Sequence, residues 1–232
     1  IAHRQSSTLS ISKHSMRSTK ARVNPRLNKK ILSLDSDRCE REVQASNLGQ
    51  STMSRGLEPG DEALEFDLPN ANPNGPEHCT LSSQTTDIGC IVVFTCNHCP
   101  YVVGSESRIE SVASYAREQG MGFVGINSND PDNYPTDNWE HMVKRAETMS
   151  YPYLHDASQE VARGWGAERT PEFYLINGQG RITYRGRLDD SPKDPGLATT
   201  HELMDAIAAL LADEQPETPR TDSIGCSVKW KV

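Results

Sequence analysis

The sequence predicts an α/β fold with a mixed central β-sheet and helices on both faces, and three observations carry that prediction. Two short β-branched runs, G-C-I-V-V-F-T at 89–95 and M-G-F-V-G-I-N at 121–127, have the unbroken apolar character of strands buried on both faces. Between them Val102, Ile109, Val112, Ala113 and Ala116 share one helical face, with Gly120 at the stop. Downstream, E-F-Y-L-I and R-I-T-Y-R-G are joined through N-G-Q-G, a hairpin signal that adds antiparallel strands to parallel ones.

The remaining elements follow in order. A-L-E-F-D-L at 63–68 alternates like a half-buried strand, and P-N-A-N-P-N-G-P after it is turn and loop. S-N-D-P-D-N-Y-P after the second buried run is a long loop. Trp139, Met142, Val143, Ala146 and Met149 then fall at the spacing of an amphipathic helix. Asp156, with Gln159 three residues on, resembles a helix-start box ahead of Val161, Ala162 and Trp165. Leu203, Ile207, Leu210 and Leu211 mark a closing helix. The predicted order is therefore β, β, α, β, α, α, β, β, α.

Length and charge divide the chain. Its 232 residues suffice for one domain with a self-sustaining core. Residues 1–52 hold ten Lys/Arg and four Asp/Glu, a net +6, so the other 180 residues carry −14 of the total −8. That first segment is rich in Ser, Arg and Lys without an apolar period, and is expected to be a disordered extension: a transit peptide or upstream sequence. The folded domain is expected over 53–214, and a tail docking on it over 215–232. An acidic body argues against nucleic-acid and anionic-membrane partners. No stretch approaches 18 consecutive apolar residues, so no membrane span is expected.

Six cysteines, at 39, 79, 90, 96, 99 and 226, are too irregularly spaced for the disulfide framework of a small secreted domain. A reducing compartment is expected: the cytoplasm, or a plastid or mitochondrion if the extension is a transit peptide. Cys79 and Cys90 look structural, and Cys39 lies in the extension. Cys226, in S-I-G-C-S-V-K-W, is either a small apolar residue of a docked tail or a third redox thiol.

The chemistry concentrates in V-V-F-T-C-N-H-C-P at 92–100, where a buried strand ends in two cysteines three apart. With Cys96 at the N-terminus of the following helix, unpaired N–H groups and the helix dipole favour its thiolate, and a protonated His98 adds to that effect. His98 can equally be a solvated residue at the helix start. Pro100 fits the first turn. Zinc is disfavoured, because it needs about four ligands and no second C-x-x-C or H-x-x-x-H exists. Two thiolates beside an imidazole suit Cu(I), though no further ligand is evident. Asn127 and Asn129 end a strand on the side where α/β sites lie, and are expected to form an Asx-turn.

F-T-C-N-H-C-P, G-F-V-G-I-N-S-N-D, W-G-A-E-R-T-P-E-F-Y and S-I-G-C-S-V-K-W, taken together and in that order, resemble the thioredoxin-like AhpC/TSA redoxins, in particular a peroxiredoxin-like group with a C-x-x-C. The resemblance spans about residues 57–231. It implies a thioredoxin-like fold, Cys96 as attacking thiol, Cys99 as resolving thiol, and a cis Thr170-Pro171 bond that faces the cysteines and offers backbone to an extended substrate. Three departures stand out. Thr95 replaces the Trp that precedes the first cysteine of thioredoxin. Residues 90–95 lack the buried acid of that strand; Glu65 or Asp67 on the first strand could substitute for it, though a solvent-facing place on an edge strand is the reading favoured for them. The Thr/Ser and Pro that peroxiredoxins place three and seven residues before the peroxidatic cysteine are Val93 and Gly89 for Cys96, and Cys96 and Val92 for Cys99.

The expected function is thiol-disulfide exchange with a protein or small-molecule thiol or disulfide, tuned or assisted by Thr95, His98, Thr170 and Pro171. No cofactor is expected beyond the Cys96–Cys99 disulfide itself, and the chain is expected to be a monomer or weak dimer. A thiol peroxidase is the first alternative, and a Cu(I)-binding module the second.

Overall fold

The computed structural model describes residues 56–232, so the expectations for residues 1–52, Cys39 included, lie outside the described residues. Phe66 and Leu68 are buried and Glu65 and Asp67 exposed, as alternation requires. The ladder is nevertheless short. Asp67–Pro69 (β1) pairs antiparallel with His78–Thr80 (β2) as a two-stranded ribbon. It meets the central sheet through single bridges, Glu62 with Arg181 and Asn70 with Leu154. Leu81–Gln84 (α1) follows, its first turn closed by a reciprocal bond: Thr80 Oγ1 accepts from the Ser83 amide and Ser83 Oγ from the Thr80 amide, each at 3.0 Å.

Gly89–Phe94 (β3), Pro100–Glu118 (α2) and Gly122–Asn127 (β4) form the predicted strand, helix and strand. Trp139–Ala146 (α3) is capped by Asn138, whose Oδ1 accepts from the His141 amide at 3.0 Å. Met142 and Ala146 are buried and Met149 lies past the helix end, but Trp139 is 41% exposed. As first residue of the helix, Trp139 sits before the buried stripe, tilted against His155 at 5.9 Å. Tyr153–His155 (β5) has no sequence signature of its own, being only three residues long. Glu160–Trp165 (α4) starts differently from the expected box: Gln159 is itself the cap residue, at φ +65°, and Asp156 Oδ2 reaches past it to the Ala162 amide at 2.9 Å.

Arg169–Thr170 (β6), Glu172–Asn177 (β7) and Ile182–Gly186 (β8) follow, then Glu202–Leu211 (α5) and Cys226–Ser227 (β9). The β7–β8 turn behaves as predicted, with Gly180 at φ +76° and Asn177 Oδ1 accepting from the Gln179 and Arg181 amides. The five-stranded sheet runs β5-β4-β3-β7-β8, parallel from β3 to β5 and antiparallel through β7 and β8.

Strand β3 sits at the centre and is buried on both faces. Ile91 and Val93 join Val112, Ala116, Met142, Leu203 and Ile207, which belong to α2, α3 and α5. Cys90, Val92 and Phe94 join Trp165 of α4, Leu81 of α1 and Phe66. Each large apolar side chain so enclosed contributes about 1.5–3 kcal/mol relative to exposure. Cys79 and Cys90 belong to the second cluster, and burial pushes the Cys90 thiol up to about 12, where it is inert at neutral pH. Among the described residues no helix is long and apolar enough to cross a membrane.

Candidate active site

Strand β3 delivers the cysteines to the carboxyl end of the parallel strands. The Thr95 amide donates to Ile126 O at 2.8 Å, the last ladder contact before the chain leaves the sheet at Cys96, and the Thr95 side chain is buried below it. The helix begins later than expected. Its cap is Cys99 and its first residue Pro100, so Cys96 precedes the helix by a short loop instead of opening it. The dipole and the free amides of the first turn therefore act most directly on Cys99.

Thr170 joins the two sulfurs from the opposite side. Cys96 Sγ lies 3.4 Å from Thr170 Oγ1, and Cys99 Sγ lies 3.2 Å from the Thr170 carbonyl oxygen. The Thr170-Pro171 bond is cis. Strand β9 pairs with β6 so that Cys226 stands opposite Thr170, and it packs with Tyr101 against the cluster of Cys96, Cys99 and Val102. Cys96 and Cys99 have no exposed surface.

The two thiols titrate together. Hydrogen bonding from Cys96 pulls the Cys99 thiol down to about 4, aided by the Cys226 thiol and by the amides of Val102 and Cys226. The same bond, with burial and the nearby Asp137 charge, pushes Cys96 up. A negative charge on the pair is therefore favoured on Cys99. That charge has a place on either sulfur. Thr170 Oγ1 can donate to a Cys96 thiolate, while the Thr170 carbonyl can only accept, and so suits a protonated Cys99. Passing the proton from Cys96 to Cys99 moves the negative charge to Cys96.

The acid of the site is Asp137. Glu65 and Asp67 are exposed, as their solvent-facing reading expects, and Asp67 is engaged with His78 Nδ1 at 3.0 Å on the ribbon. Asp137, from a 3-10 turn at Pro135–Asp137, is fully buried and accepts from four donors. These are the Asn97 amide and His98 Nδ1, each at 2.6 Å, Asn129 Nδ2 at 3.0 Å and Asn127 Nδ2 at 3.2 Å. His98 stacks flat on Tyr134, with centroids 5.4 Å apart and planes 6° apart. The ring is held in the network although 28% of the side chain stays exposed. The Asx-turn forms as expected, with the Asn129 amide on Asn127 Oδ1 at 3.0 Å, and both amide side chains also serve Asp137.

Ligand atoms of Cys96, His98 and Asp137 lie within 4.8 Å of one another. Four N–H donors already occupy the Asp137 carboxylate, one of them His98 Nδ1, so the trio is a closed hydrogen-bond network in place of an open coordination sphere. Asp137 carried no sequence signal, since it is one of several acids in a long loop. Its position after a parallel strand, on the cysteine side of the sheet, was the available clue.

A sheet of this order, with a C-x-x-C between strand and helix and a cis-proline turn against it, defines a thioredoxin-fold oxidoreductase. Residues 58–201 match the Redoxin family, and the chain belongs to that family. Among solved structures it is similar to an uncharacterized conserved protein from Geobacillus kaustophilus, at 36% identity and a TM-score of 0.71 over 78% of this chain and 96% of that one. A hypothetical protein from Sinorhizobium meliloti 1021 is similar at 34% identity and a TM-score of 0.69, over 78% of this chain and 100% of that one. A Mycobacterium tuberculosis protein provisionally named a peroxiredoxin is 26% identical over 149 residues, which are 61% of this chain and 85% of that one.

Proposed function

We propose that the protein is a thiol-disulfide oxidoreductase that cycles between a Cys96/Cys99 dithiol and a Cys96–Cys99 disulfide, with no further cofactor. The observation that carries this is the pair of sulfurs resting on one residue, Thr170, which offers a donor to Cys96 and an acceptor to Cys99.

In the reducing direction, the Cys96 thiolate attacks a sulfur of the substrate disulfide, and the substrate S–S bond breaks as a Cys96–substrate bond forms. The departing substrate thiolate takes a proton. Cys99 gives up its own proton and attacks Cys96 Sγ, closing the Cys96–Cys99 disulfide and releasing the second substrate thiolate. Two electrons pass from the dithiol to the substrate. Asp137 acts through position and charge: it fixes the Asn97 amide and the His98 ring beside Cys96, and its charge keeps the proton on Cys96 until Cys99 can take it. The partner is a protein or small-molecule thiol or disulfide.

The pH dependence of the reduction potential tests this. With one proton on the reduced pair, reduction takes up one proton per two electrons, so the potential should fall by about 30 mV per pH unit between roughly pH 5 and 8. Two ordinary thiols would give about 59 mV per unit. Because the Cys99 thiol is held down in the folded protein, the dithiol form gains stability as pH rises above about 4, and loses that contribution as pH falls through it. Equilibration against a thiol-disulfide buffer series at each pH reads the slope. A slope near 59 mV across the neutral range would show two protonated thiols and overturn the shared charge.

A further inference from the structure

The C-terminal segment approaches the cysteines as a strand. Upstream, the Arg185 amide donates to Pro219 O at 3.0 Å and the Thr221 amide to Arg185 O at 3.1 Å, laying the chain along β8. It then crosses to β6, where Arg169 pairs with Ser227 and Thr170 with Cys226. Beyond that, the Val228 amide donates to Glu168 O at 3.0 Å, the Lys229 amide to Asn129 Oδ1 at 2.9 Å and the Lys231 amide to Gln159 Oε1 at 2.9 Å. Val228 is buried, and the Arg163 guanidinium lies 4.5 Å from the centroid of the Trp230 ring. The segment is thus fixed on both sides of Cys226.

Gly225 is what allows the approach. A Cβ there would lie 2.2 Å from Thr170 O and 3.1 Å from the Pro171 nitrogen, so only glycine lets the segment close on the cis-proline turn. The result is backbone pairing at the residue that precedes the cis-proline, with a cysteine facing the active-site pair. Cys226 packs directly against the cluster of Cys96, Cys99 and Val102, and burial, with the Cys99 charge, pushes its thiol up.

We propose that Cys226 is a third redox thiol, seated as an internal substrate on Thr170 and exchanging directly with Cys99. This rests on the Cys96/Cys99 cycle above. In the oxidised protein Cys226 loses its proton and its sulfur attacks Cys99 Sγ. A Cys99–Cys226 bond forms, the Cys96–Cys99 bond breaks, and Cys96 leaves with the electron pair and takes the proton. No net oxidation occurs: one disulfide moves, and Cys96 emerges free. A polypeptide substrate that uses the same edge of β6 must displace the segment first.

The test uses full-length Cys96→Ser protein, which cannot form the first disulfide. Incubated with millimolar oxidised glutathione, it should be attacked at Cys99, and Cys226 should then expel glutathione to leave a Cys99–Cys226 disulfide. Mass spectrometry of non-reduced peptides should find that internal bond in about tenfold or greater excess over the Cys99–glutathione adduct, because the held thiol acts at high effective concentration. A stable adduct on Cys99, with Cys226 still free to alkylate, would overturn the proposal. Adding Gly225→Ala to Cys96→Ser should shift the products back toward the adduct, with circular dichroism confirming that the protein is folded. An unchanged yield of internal disulfide would show that the seat on Thr170 is not what brings Cys226 to Cys99. Wild-type protein run alongside reports on the underlying cycle: if it forms no Cys96–Cys99 disulfide and reduces no disulfide substrate, that cycle fails, while the products of Cys96→Ser still decide the fate of Cys226.

Discussion

Cys96→Ser/Cys226→Ser should abolish disulfide-exchange turnover, lowering it by roughly three orders of magnitude or more, since a serine hydroxyl is no nucleophile at neutral pH and no second thiol is left to resolve an adduct on Cys99. Cys99→Ser should do something different. Attack survives but resolution does not, so the partner accumulates as a mixed disulfide on Cys96. The trap is cleanest in a Cys99→Ser/Cys226→Ser protein, where no third thiol can complete the exchange. The same variant separates exchange from peroxidase chemistry, the first alternative that the sequence leaves open. If peroxide is the substrate, Cys96 becomes a sulfenic acid before any disulfide forms, and the double variant should store it. Rapid stoichiometric sulfenylation, with negligible disulfide reduction by the wild type, would replace the exchange assignment with a peroxidase. Undiminished turnover by Cys96→Ser/Cys226→Ser would remove both.

Asp137→Ala should give the largest loss of stability among changes near the site, about 2–4 kcal/mol, read as a lower urea midpoint. The reason is the number of donors left behind. The Asn97 amide, His98 and the two asparagine side chains lose their acceptor together, and Asn127, Asn129 and Asp137 itself are buried. Asp137→Asn keeps the volume but places an amide among N–H donors, and separates charge from packing. In a Cys99→Ser background its Cys96 thiol should titrate lower than in the same background with Asp137 intact, because the burial that raises it remains while the added push of the carboxylate is gone. The thiolate absorbance of a Cys99→Ser background, followed against pH with and without Asp137→Asn, reads that shift. An unchanged titration together with an unchanged urea midpoint would reduce Asp137 to a bystander.

What could be seen in the sequence was whatever repeats or alternates. The two buried runs, the face of α2 from Val102 to Ala116, and the Asn177–Arg181 turn were legible because burial on both faces, a 3.6-residue period and a left-handed glycine each leave a local pattern. Strands β5, β6 and β9 leave none: with two or three residues each, they are strands only because a partner lies alongside. The site divides in the same way. Cys96, Cys99 and Thr170-Pro171 were found through their motifs, and Cys226 was singled out as a tail cysteine. Asp137 could not be found so, because it meets Cys96 across 41 residues of chain and its donors come from two different loops. The helix start was misplaced by the same limit. Nothing in T-C-N-H-C-P says whether the first or the second cysteine caps the helix, and the fold places the second there.

The covered state of the sulfurs bears on how the protein meets its partners in time. Both sulfurs lie beneath Tyr101 and the Cys226 strand with no exposed surface, so a reagent should reach them only when that cover moves, and β9 is the element expected to lift. Lifting breaks the β6–β9 pairing, while the anchors at Thr221 and Lys229 can hold on either side. Reaction with a small electrophile should therefore rise with its concentration only up to a ceiling. Beyond that ceiling the rate equals that of the strand opening, a first-order constant belonging to the protein alone. Chemically unrelated reagents should then share one plateau, and a partner able to pry the strand loose would be recognised by exceeding it.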